Sequence, residues 1–519
     1  MNFMDSTMLL VGHVPQYFFD NVVLEQIQDV TKTFHSPVKE PGPLIQKDRP
    51  WENVPYFTVN GWTVLRDGAA GEFRCWYENW GINPGSVDPG AAAPGRDRPN
   101  LGFLGSALCY ARSDDGITWE KPGFDYLLHE GEKTNVVFGR QDYERSESSS
   151  VFEDPMEADP QKRYKSFYGH FADDGHVVTL AYSPDGIHWT PSDERPTFGE
   201  LGEGLGDCYT VIADLDSQTY RCTCRHKGIL SIHHDDRRPR TPSVFFHPTY
   251  PRDAARANKR RVFQAVSNDL IHWSNPQCIL TPDEDIDNLD ETFYGMNQIR
   301  IGSGYLGFLN TIREVSNMLC VRLIYSRDGW TWHHLNKGQP WLSPAPGAWD
   351  RCMVNLSSPP IEVGDELYVF HGGARNHHDW WISGITEDLD VPEARNLDEV
   401  RYGIGLSKMR KDGFVSIDAG PVREGIVITR ALRTDGKQLV INAACGEGGY
   451  IDVEATDENE KVFEGCARAD CNTYTRDSVH AVVTWKHHEE IPHTGRLRLR
   501  FFLRNASLYS IQLVSPPVA

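Results

Sequence analysis

The chain has 519 residues, of which 39% are hydrophobic and 11% aromatic, so it can bury a packed core, and intrinsic disorder is excluded. Its formal net charge of −21 argues against nucleic acid and anionic membrane as main partners. No apolar run is long enough to span a membrane, and residues 1–19 lack the basic and apolar regions of a signal peptide. The odd number of cysteines, 11, is typical of free thiols, so we expect a cytoplasmic protein.

The first 50 residues contain short apolar runs of strand length at 8–11, 17–20, 22–24 and 26–33. We expect these strands to pack against, or to close, the unit that follows them.

From residue 51 to about 420 the chain repeats the phrase Ser-x-Asp-Gly-x-x-Trp, each time after an apolar run. Copies begin at Ser113, Ser183, Ser267 and Ser326, and a degenerate fifth copy begins at Ser407. Asp can accept hydrogen bonds from the amides of a tight turn and Gly tolerates positive φ, so the phrase predicts a hairpin turn covered by its Trp. Repeats of this length predict multi-stranded units arranged as a propeller.

We therefore predict an all-β fold: a five-bladed β-propeller over residues 51–420, followed by a C-terminal β-sandwich over 421–519. The last hundred residues contain strand-length apolar runs separated by turn signals, but no copy of the phrase. Residues 1–50 would pack on the propeller.

Each predicted blade begins with an acidic residue beside an apolar run, which would place one carboxylate per blade at one mouth of the central channel. These acids are Glu52, Glu147, Asp207, Glu291 and Asp350. One interpretation is that they cap strands or pair with nearby arginines. The other is acid/base catalysis, because cleaving a glycosidic bond requires one carboxylic acid and one carboxylate, whose pKa values their environments push apart.

We expect Asp207, Glu291 and Asp350 to be the working acids. Glu291 is the predicted proton donor because it has the fewest predicted partners. Asp350, next to Arg351, would stay ionised as base or nucleophile, and Asp207 would orient the sugar or tune its neighbours. The two alternatives to these acids are Glu147 and Glu52.

Aromatic and cationic side chains near the same acids are candidate substrate contacts: Trp51, Arg145, Arg225, Trp349, Arg351, His371, Arg375 and Trp380. The tryptophans would either stack on sugar rings or pack between blades. Arg225, Arg375 and His371 could instead bind a phosphate. The basic run from Arg237 to Arg261 is either a solvated insertion or an anion-binding lid.

The sequence contains no phosphate-binding loop, dinucleotide fingerprint or nucleophile elbow. Adjacent histidines point to opposite faces of a strand, and Cys222 and Cys224 lack the C-x-x-C spacing of zinc sites. We therefore expect neither a metal nor a cofactor.

A five-bladed propeller followed by a β-sandwich resembles the glycoside hydrolase superfamily that includes families 32, 43, 62, 68 and 117. The phrases at 182–189, 349–354 and 364–368 are similar to those of bacterial proteins labelled similar to the family 32 amino-terminal domain. The resemblance implies three acids on the innermost strands of three blades: a base or nucleophile Asp, a pKa-setting Asp and a general-acid Glu. The Asn-Asp-Pro-Asn-Gly, Arg-Asp-Pro and Glu-Cys signatures of fructan enzymes are absent, so fructosidase activity is not expected.

The leading hypothesis is a glycoside hydrolase acting on a small oligosaccharide or glycoside. The alternatives are a glycoside phosphorylase on the same fold and a non-catalytic propeller that binds carbohydrate or another protein. The repeated phrase also resembles the Asp box of sialidases, but those have six blades, an arginine triad and a Tyr nucleophile. The sequence is compatible with a homo-oligomer.

Overall fold

The computed structural model describes residues 8–68, 70–82, 103–139, 146–172, 175–203, 205–225, 260–283, 285–288, 290–313, 316–378, 380–382, 393, 396–493 and 495–515. Within these ranges the regular structure is nearly all β, as predicted. No helix in these ranges is long and apolar enough to cross a membrane. The 3₁₀ turns are Pro160–Lys162, Gly199–Leu201, Asn336–Gly338, Leu397–Glu399 and Arg468–Asp470.

Six short strands open the described chain: β1 Leu9–Leu10, β2 Gln16–Tyr17, β3 Leu24–Gln28, β4 Val30–Phe34, β5 Val38–Lys39 and β6 Ile45–Gln46. They do not form a sheet of their own. Strands β1 to β4 pair with the C-terminal strands, whereas β5 and β6 pair with a strand of the repeat region.

Strand pairing among the described residues then forms sheets of five, two, four, six and eleven strands. We divide the eleven-stranded sheet at the parallel pairing of Leu319 with Met353 and describe the region as five mainly antiparallel meanders. The first contains β7 Val54–Pro55, β8 Trp62–Arg66, β9 Phe73–Ile82, β10 Phe103–Ser113 and β13 Val136–Phe138, with a separate hairpin of β11 Phe124–His129 and β12 Glu132–Thr134. The second contains β14 Ser146–Glu153, β15 Tyr164–Ala172, β16 Gly175–Ser183 and β17 Thr190–Pro191. The third contains β18 Thr197–Phe198, β19 Thr210–Asp214, β20 Thr219–Cys224, β21 Val262–Ser267, β22 His272–Trp273 and β23 Gln277–Leu280.

The fourth meander contains β24 Glu291–Ile301, β25 Gly304–Arg313, β26 Met318–Ser326, β27 His333–His334 and β28 Pro340–Leu342. The fifth contains β29 Met353–Asn355, β30 Ile361–Val363, β31 Glu366–Ala374 and β32 Tyr402–Arg410, and the N-terminal β5 and β6 add to its outer edge at β32.

Neighbouring meanders contact one another in chain order, and the fifth contacts the first, so the contacts form a closed ring. Asn355 of the fifth meander, for example, donates to the carbonyl of Phe57 at 2.9 Å and accepts from the indole of Trp62 at 3.1 Å. The other four junctions include the hydrogen bonds Val151–Thr63, Tyr220–Asp154, Thr223–Met296 and Asn310–Leu356.

The repeated phrase forms the predicted turn. In the second copy, Asp185 accepts from the amides of Ile187 and His188, both at 2.9 Å, while Gly186 has φ 75°. Trp189 folds back to donate to the carbonyl of Gly186 at 3.0 Å. These hydrogen bonds to the charged form outweigh partial burial and lower the pKa of Asp185 to about 2. The phrase is therefore a structural device.

Each of three turns also packs against the preceding meander. Gly186 accepts at its carbonyl from the indole of Trp76 at 2.6 Å, and Gly329 accepts from the side-chain amide of Gln264 at 2.8 Å. A Cβ atom at Gly116 would lie 3.3 Å from the ring of Phe370 in the fifth meander. These turns thus form part of the contacts between successive meanders.

The C-terminal strands are β33 Val415–Ala419, β34 Gly425–Thr429, β35 Leu432–Arg433, β36 Gln438–Thr456, β37 Asp477–Val482 and β38 Arg496–Val514. The long β38 pairs with β2, β33, β34, β35 and β36. Because β33 belongs to these pairings, the C-terminal unit begins by Val415 in the strand pattern, a few residues before the predicted boundary at 421. The N-terminal β1 to β4 complete it, so residues 9–34 belong with the C-terminal unit.

Candidate functional site

Side chains from the first, third, fourth and fifth meanders meet at the end of the ring where β19 and β24 begin. We call this group the mouth cluster: Tyr56, Glu78, Trp80, Asp207, Arg225, Arg260, Tyr294 and His378. Two of its members, Asp207 and Arg225, are sequence-predicted site residues.

Asp207 and Arg225 form an ion pair through Nη2 of the arginine. The carboxylate side chain is 49% exposed whereas the guanidinium is only 13% exposed, so Asp207 faces solvent and Arg225 lies beneath it. Burial alone would lower the pKa of Arg225, but Asp207 and Cys208 raise it above its ordinary value, and the group stays a cation. Arg225 Nη2 also lies 3.1 Å from Cys208 Sγ, and burial raises the pKa of that thiol to about 12.

Tyr294 joins two arginines to a histidine. The guanidinium carbons of Arg225 and Arg260 lie 4.9 and 4.7 Å from the centre of its ring, within cation–π range. Its hydroxyl lies 2.7 Å from Nε2 of the fully buried His378. Burial, together with the charges of Arg260 and Arg225, holds the pKa of His378 well below its ordinary value. His378 is therefore a neutral imidazole at physiological pH.

Glu78 is a second carboxyl group in the cluster, and it is buried. It accepts from the amide of Ser149 at 2.8 Å and from the indole of Trp80 at 3.0 Å. The Trp80 ring stacks on Tyr56 with centroids 3.6 Å apart. Burial raises the pKa of Tyr209 well above its ordinary value, and the charges of Glu78, Cys222 and Asp207 add to that shift.

Glu78 was not among the predicted site residues because it lies in the middle of β9 and not at the start of the first strand of its meander. A signal was present, however. Glu78 is the one acidic residue within β9, a strand whose neighbours at 75–77 and 80 are all large or apolar. A charged residue in the middle of such a strand is costly to bury and indicates a specific polar partner.

Glu52 lies two residues before β7, which begins at Val54 and pairs with β9. Glu52 is buried and accepts from Lys121 Nζ at 2.7 Å, from Tyr77 and from two backbone amides. These contacts match the structural interpretation for this acid.

Glu291 begins β24 as predicted, but the expectation that it has few partners is wrong. Its carboxylate accepts from Arg322 Nη2 at 2.6 Å and from the side chain of Asn288 at 2.9 Å. Arg322 also pairs with Asp287. All three charged side chains are buried, so Glu291 is part of an ion-pair network inside the fourth meander.

Asp350 is buried, but its cationic partner is Lys39 on β5 and not the adjacent Arg351, which is exposed. His371 Nε2 lies 3.8 Å from the same carboxylate, and Ser407 Oγ lies 3.3 Å from His371 Nδ1. Burial and the charge of Lys39 lower the pKa of His371 to about 4. The Trp349 ring stacks on His371 at 5.7 Å.

The remaining candidates contact different parts of the structure. Trp51 donates to Asn135 at 2.7 Å within the first meander, and the exposed Arg375 pairs with Glu399 at 3.0 Å. Trp380 stacks on His377 at 3.7 Å. Arg145, the side chain of Glu147 and the basic run from Arg237 as far as Lys259 lie outside the described residues. Arg260, at the end of that run, belongs to the mouth cluster.

The described side chains include no group of three or more His, Cys, Asp or Glu arranged to hold a metal ion. The chemistry available at the mouth cluster is therefore that of two carboxyl groups in different environments, two arginines, a neutral histidine and stacked aromatic rings.

Comparison with known proteins found no matching family model and no matching curated relative. Solved structures with a similar chain course include a β-1,2-mannobiose phosphorylase from Listeria innocua, with 13% identity, a TM-score of 0.46, and coverage of 72% of this chain and 96% of that one. They also include an N-acetylgalactosamine deacetylase from F. plautii, with 15% identity, a TM-score of 0.41, and coverage of 74% and 96%. A glycosyl hydrolase from Bacteroides ovatus has 14% identity, a TM-score of 0.42, and coverage of 72% and 93%. At these scores the likeness carries no weight for the chemistry of this chain.

Proposed function

We propose that the five meanders are the blades of a five-bladed β-propeller, that the C-terminal strands with β1 to β4 form a β-sandwich, and that the protein is a carbohydrate-active enzyme. The closed ring of contacts supports the first point. The pairing of β38 with strands from both ends of the chain supports the second.

The activity we propose is hydrolysis of a glycosidic bond in a small oligosaccharide or glycoside at the mouth cluster. The observation that carries it is that the mouth cluster contains two carboxyl groups of different exposure, the buried Glu78 and the half-exposed Asp207, together with the stacked rings of Trp80 and Tyr56. Glycosidases use two carboxyl groups whose different environments assign the roles of acid and base. Aromatic rings offer an apolar surface on which a sugar can stack.

In this proposal the ionised Asp207, held by Arg225, is the base or nucleophile, and the buried Glu78 is the proton donor. Tyr294 orients the substrate, and the neutral, fully buried His378 holds the Tyr294 hydroxyl in place. Glu291 and Asp350, the acids expected from the sequence, lie in separate ion pairs outside the mouth cluster, and they remain the alternatives for these roles.

The test is turnover of a panel of aryl glycosides and disaccharides by Asp207→Asn and Glu78→Gln. Loss of a general acid or base costs typically 10²- to 10⁴-fold in rate, so each variant should lose turnover by about that factor while unfolding at a similar temperature. Asp328→Asn, in a turn of the repeated phrase, is the matched control and should keep its turnover. If Asp207→Asn and Glu78→Gln are fully active while Glu291→Gln or Asp350→Asn is not, the site lies elsewhere.

A second candidate is phosphorolysis, and the arginines of the mouth cluster favour it. Arg225 and Arg260 flank one tyrosine ring, and only Asp207 forms a described ion pair with Arg225. Two guanidinium groups in one place suit an oxyanion such as phosphate. The other two predicted phosphate contacts are not part of the mouth cluster. Arg375 pairs with Glu399, and His371 lies beside Asp350. Turnover that requires inorganic phosphate and releases a sugar phosphate would select this candidate; turnover unaffected by phosphate would select hydrolysis.

A further inference from the structure

Asn60 links meanders that are not neighbours in the ring. It lies in the first meander, directly before β8, and its side-chain amide donates to the carbonyl of Tyr209 and to Thr210 Oγ1, the latter at 2.6 Å. Both acceptors belong to the third meander. Its backbone amide donates to Ser357 Oγ in the fifth meander at 2.7 Å.

The fourth meander packs against the same segment, at Val59 and Asn60. A Cβ atom added at Gly295 would lie 2.8 Å from Val59 and 3.4 Å from Asn60 Oδ1, so this stretch of β24 packs directly against the segment. In a ring of five, the first and third members meet only across the axis. Asn60 is only 2% exposed, and its segment therefore fills the centre of the ring.

The acceptors of Asn60 lie next to the candidate site. Tyr209 and Thr210 follow Asp207 and Cys208 directly, and Cys208 has a left-handed φ of 57° that is unfavourable for a non-glycine residue. On its other side this segment is held by the backbone of Arg225, which accepts from Gly206 at 2.9 Å and donates to Asp207 at 3.3 Å. The Asp207 segment is thus fixed between Arg225 and Asn60.

We propose that Asn60 is a positioning residue that closes the centre of the ring beneath the mouth cluster and fixes the backbone that presents Asp207. The catalytic part of this inference rests on the proposed function. The structural part of the inference does not rest on that function, because it concerns only how rigidly the backbone of residues 207–210 is held in the protein without substrate.

The variants follow from the conformation of Asn60, which has φ 63°. Asn60→Gly removes the side chain and keeps that backbone conformation accessible, whereas alanine would add strain. Asn60→Asp keeps the size and the tolerated φ but cannot donate to the Tyr209 carbonyl. The matched control is Asn355→Ala, which removes another buried asparagine that joins two meanders but has no described contact with residues 207–210.

Two readouts are needed: amide hydrogen exchange across residues 207–210 and, for an active protein, kcat and KM separately. We expect both Asn60 variants to speed exchange at these amides by about tenfold, as for loss of one buried hydrogen bond. We expect kcat to fall on the order of 10²-fold because of a misplaced carboxylate. Asn355→Ala should lower the unfolding temperature and leave exchange at 207–210 unchanged.

The inference is overturned if Asn60→Asp exchanges like the parent protein, or if Asn355→Ala speeds exchange at 207–210 equally. If both Asn60 variants speed exchange and the parent turns over no glycoside with or without phosphate, the proposed function fails while the positioning of this backbone by Asn60 stands. If the parent is active and exchange rises but kcat does not change, the positioning role in catalysis is rejected.

Discussion

The hydroxyl of Tyr294 and Nε2 of His378 lie 2.7 Å apart and join the fourth meander to the fifth at the mouth of the ring. The guanidinium groups of Arg225 and Arg260 lie against the same tyrosine ring. His378 is therefore both buried and close to two positive charges. A proton added to His378 would be both desolvated and repelled.

This environment predicts an acid-sensitive fold. The pKa of His378 is lowered in the folded protein, whereas an unfolded histidine titrates near 6.5. The unfolded state therefore binds the extra proton first, and the stability contributed by the neutral ring is present above about pH 6.5 and declines as the pH falls below it. His378→Gln should show a smaller decrease in the free energy of unfolding between pH 7.5 and 5.5 than the parent. Urea unfolding at several pH values measures this, and an equal decrease in both proteins would contradict it.

The turns of the repeated phrase predict a second acid response at lower pH. The pKa values of Asp185, Asp269 and Asp328 are each lowered to about 2, with hydrogen bonds from turn amides as the favourable cause. Their stabilisation is present above about pH 4, the unfolded value, and is lost as the pH falls towards 2. A variant with Asn at all three positions should be less stable than the parent at pH 7 but should lose less stability between pH 4 and 3. Thermal unfolding at pH 7, 4 and 3 is the measurement. An equal loss of stability in the variant and the parent between pH 4 and 3 would show that the turns are not responsible.

The Glu52–Lys121 pair predicts a large structural effect. Both side chains are almost fully buried, and Glu52 also accepts from Tyr77. Removing one partner of a buried pair leaves an uncompensated charge, so Lys121→Met should cost on the order of 3–5 kcal/mol in the free energy of unfolding. The exposed pair Arg112–Glu120 is the control, and Glu120→Gln should change stability by less than about 1 kcal/mol. Similar values for both variants would refute the assignment.

The buried ion pair between Asp350 and Lys39 predicts that substitutions of its two members have non-additive effects on the free energy of unfolding. The carboxylate is buried and its lysine comes from β5, so Asp350→Leu alone should destabilise the protein by about 3–5 kcal/mol. The double variant Asp350→Leu with Lys39→Met should recover much of that loss, because well-packed apolar side chains can replace a buried ion pair. A double-mutant cycle by urea unfolding measures the coupling. Additive losses would indicate that the pair is not coupled, and a stable but inactive Asp350→Asn would favour the catalytic role expected from the sequence.

The elements that local chemistry determines were the ones that could be predicted from the sequence. The turn phrase requires only Ser, Asp, Gly and Trp within seven residues, and its hydrogen bonds match the expectation. The nearly all-β class followed from the same pattern of apolar runs and turns. The pairing of Asp207 with Arg225, 18 positions away, joins the two ends of one hairpin and was within reach of the repeat logic.

The partners of the other acids could not be predicted because they come from distant parts of the chain. Glu52 binds a lysine 69 residues away, Glu291 an arginine 31 residues away, and Asp350 a lysine 311 residues away. Which acid is neutralised inside the protein and which faces solvent depends on these long-range pairings. The position of an acid at a strand start therefore identified a candidate but not its environment.

The pairing of β1 with β35 and of β2 with β38 sets the order in which the chain can assemble. Leu9 pairs with Leu432, and Gln16 with Ile511, so strands synthesised first gain their partners only when the last strands leave the ribosome. During translation the early strands must wait with open edges, which template aggregation. We therefore expect this chain to refold more slowly than one in which every strand pairs with its neighbour in sequence.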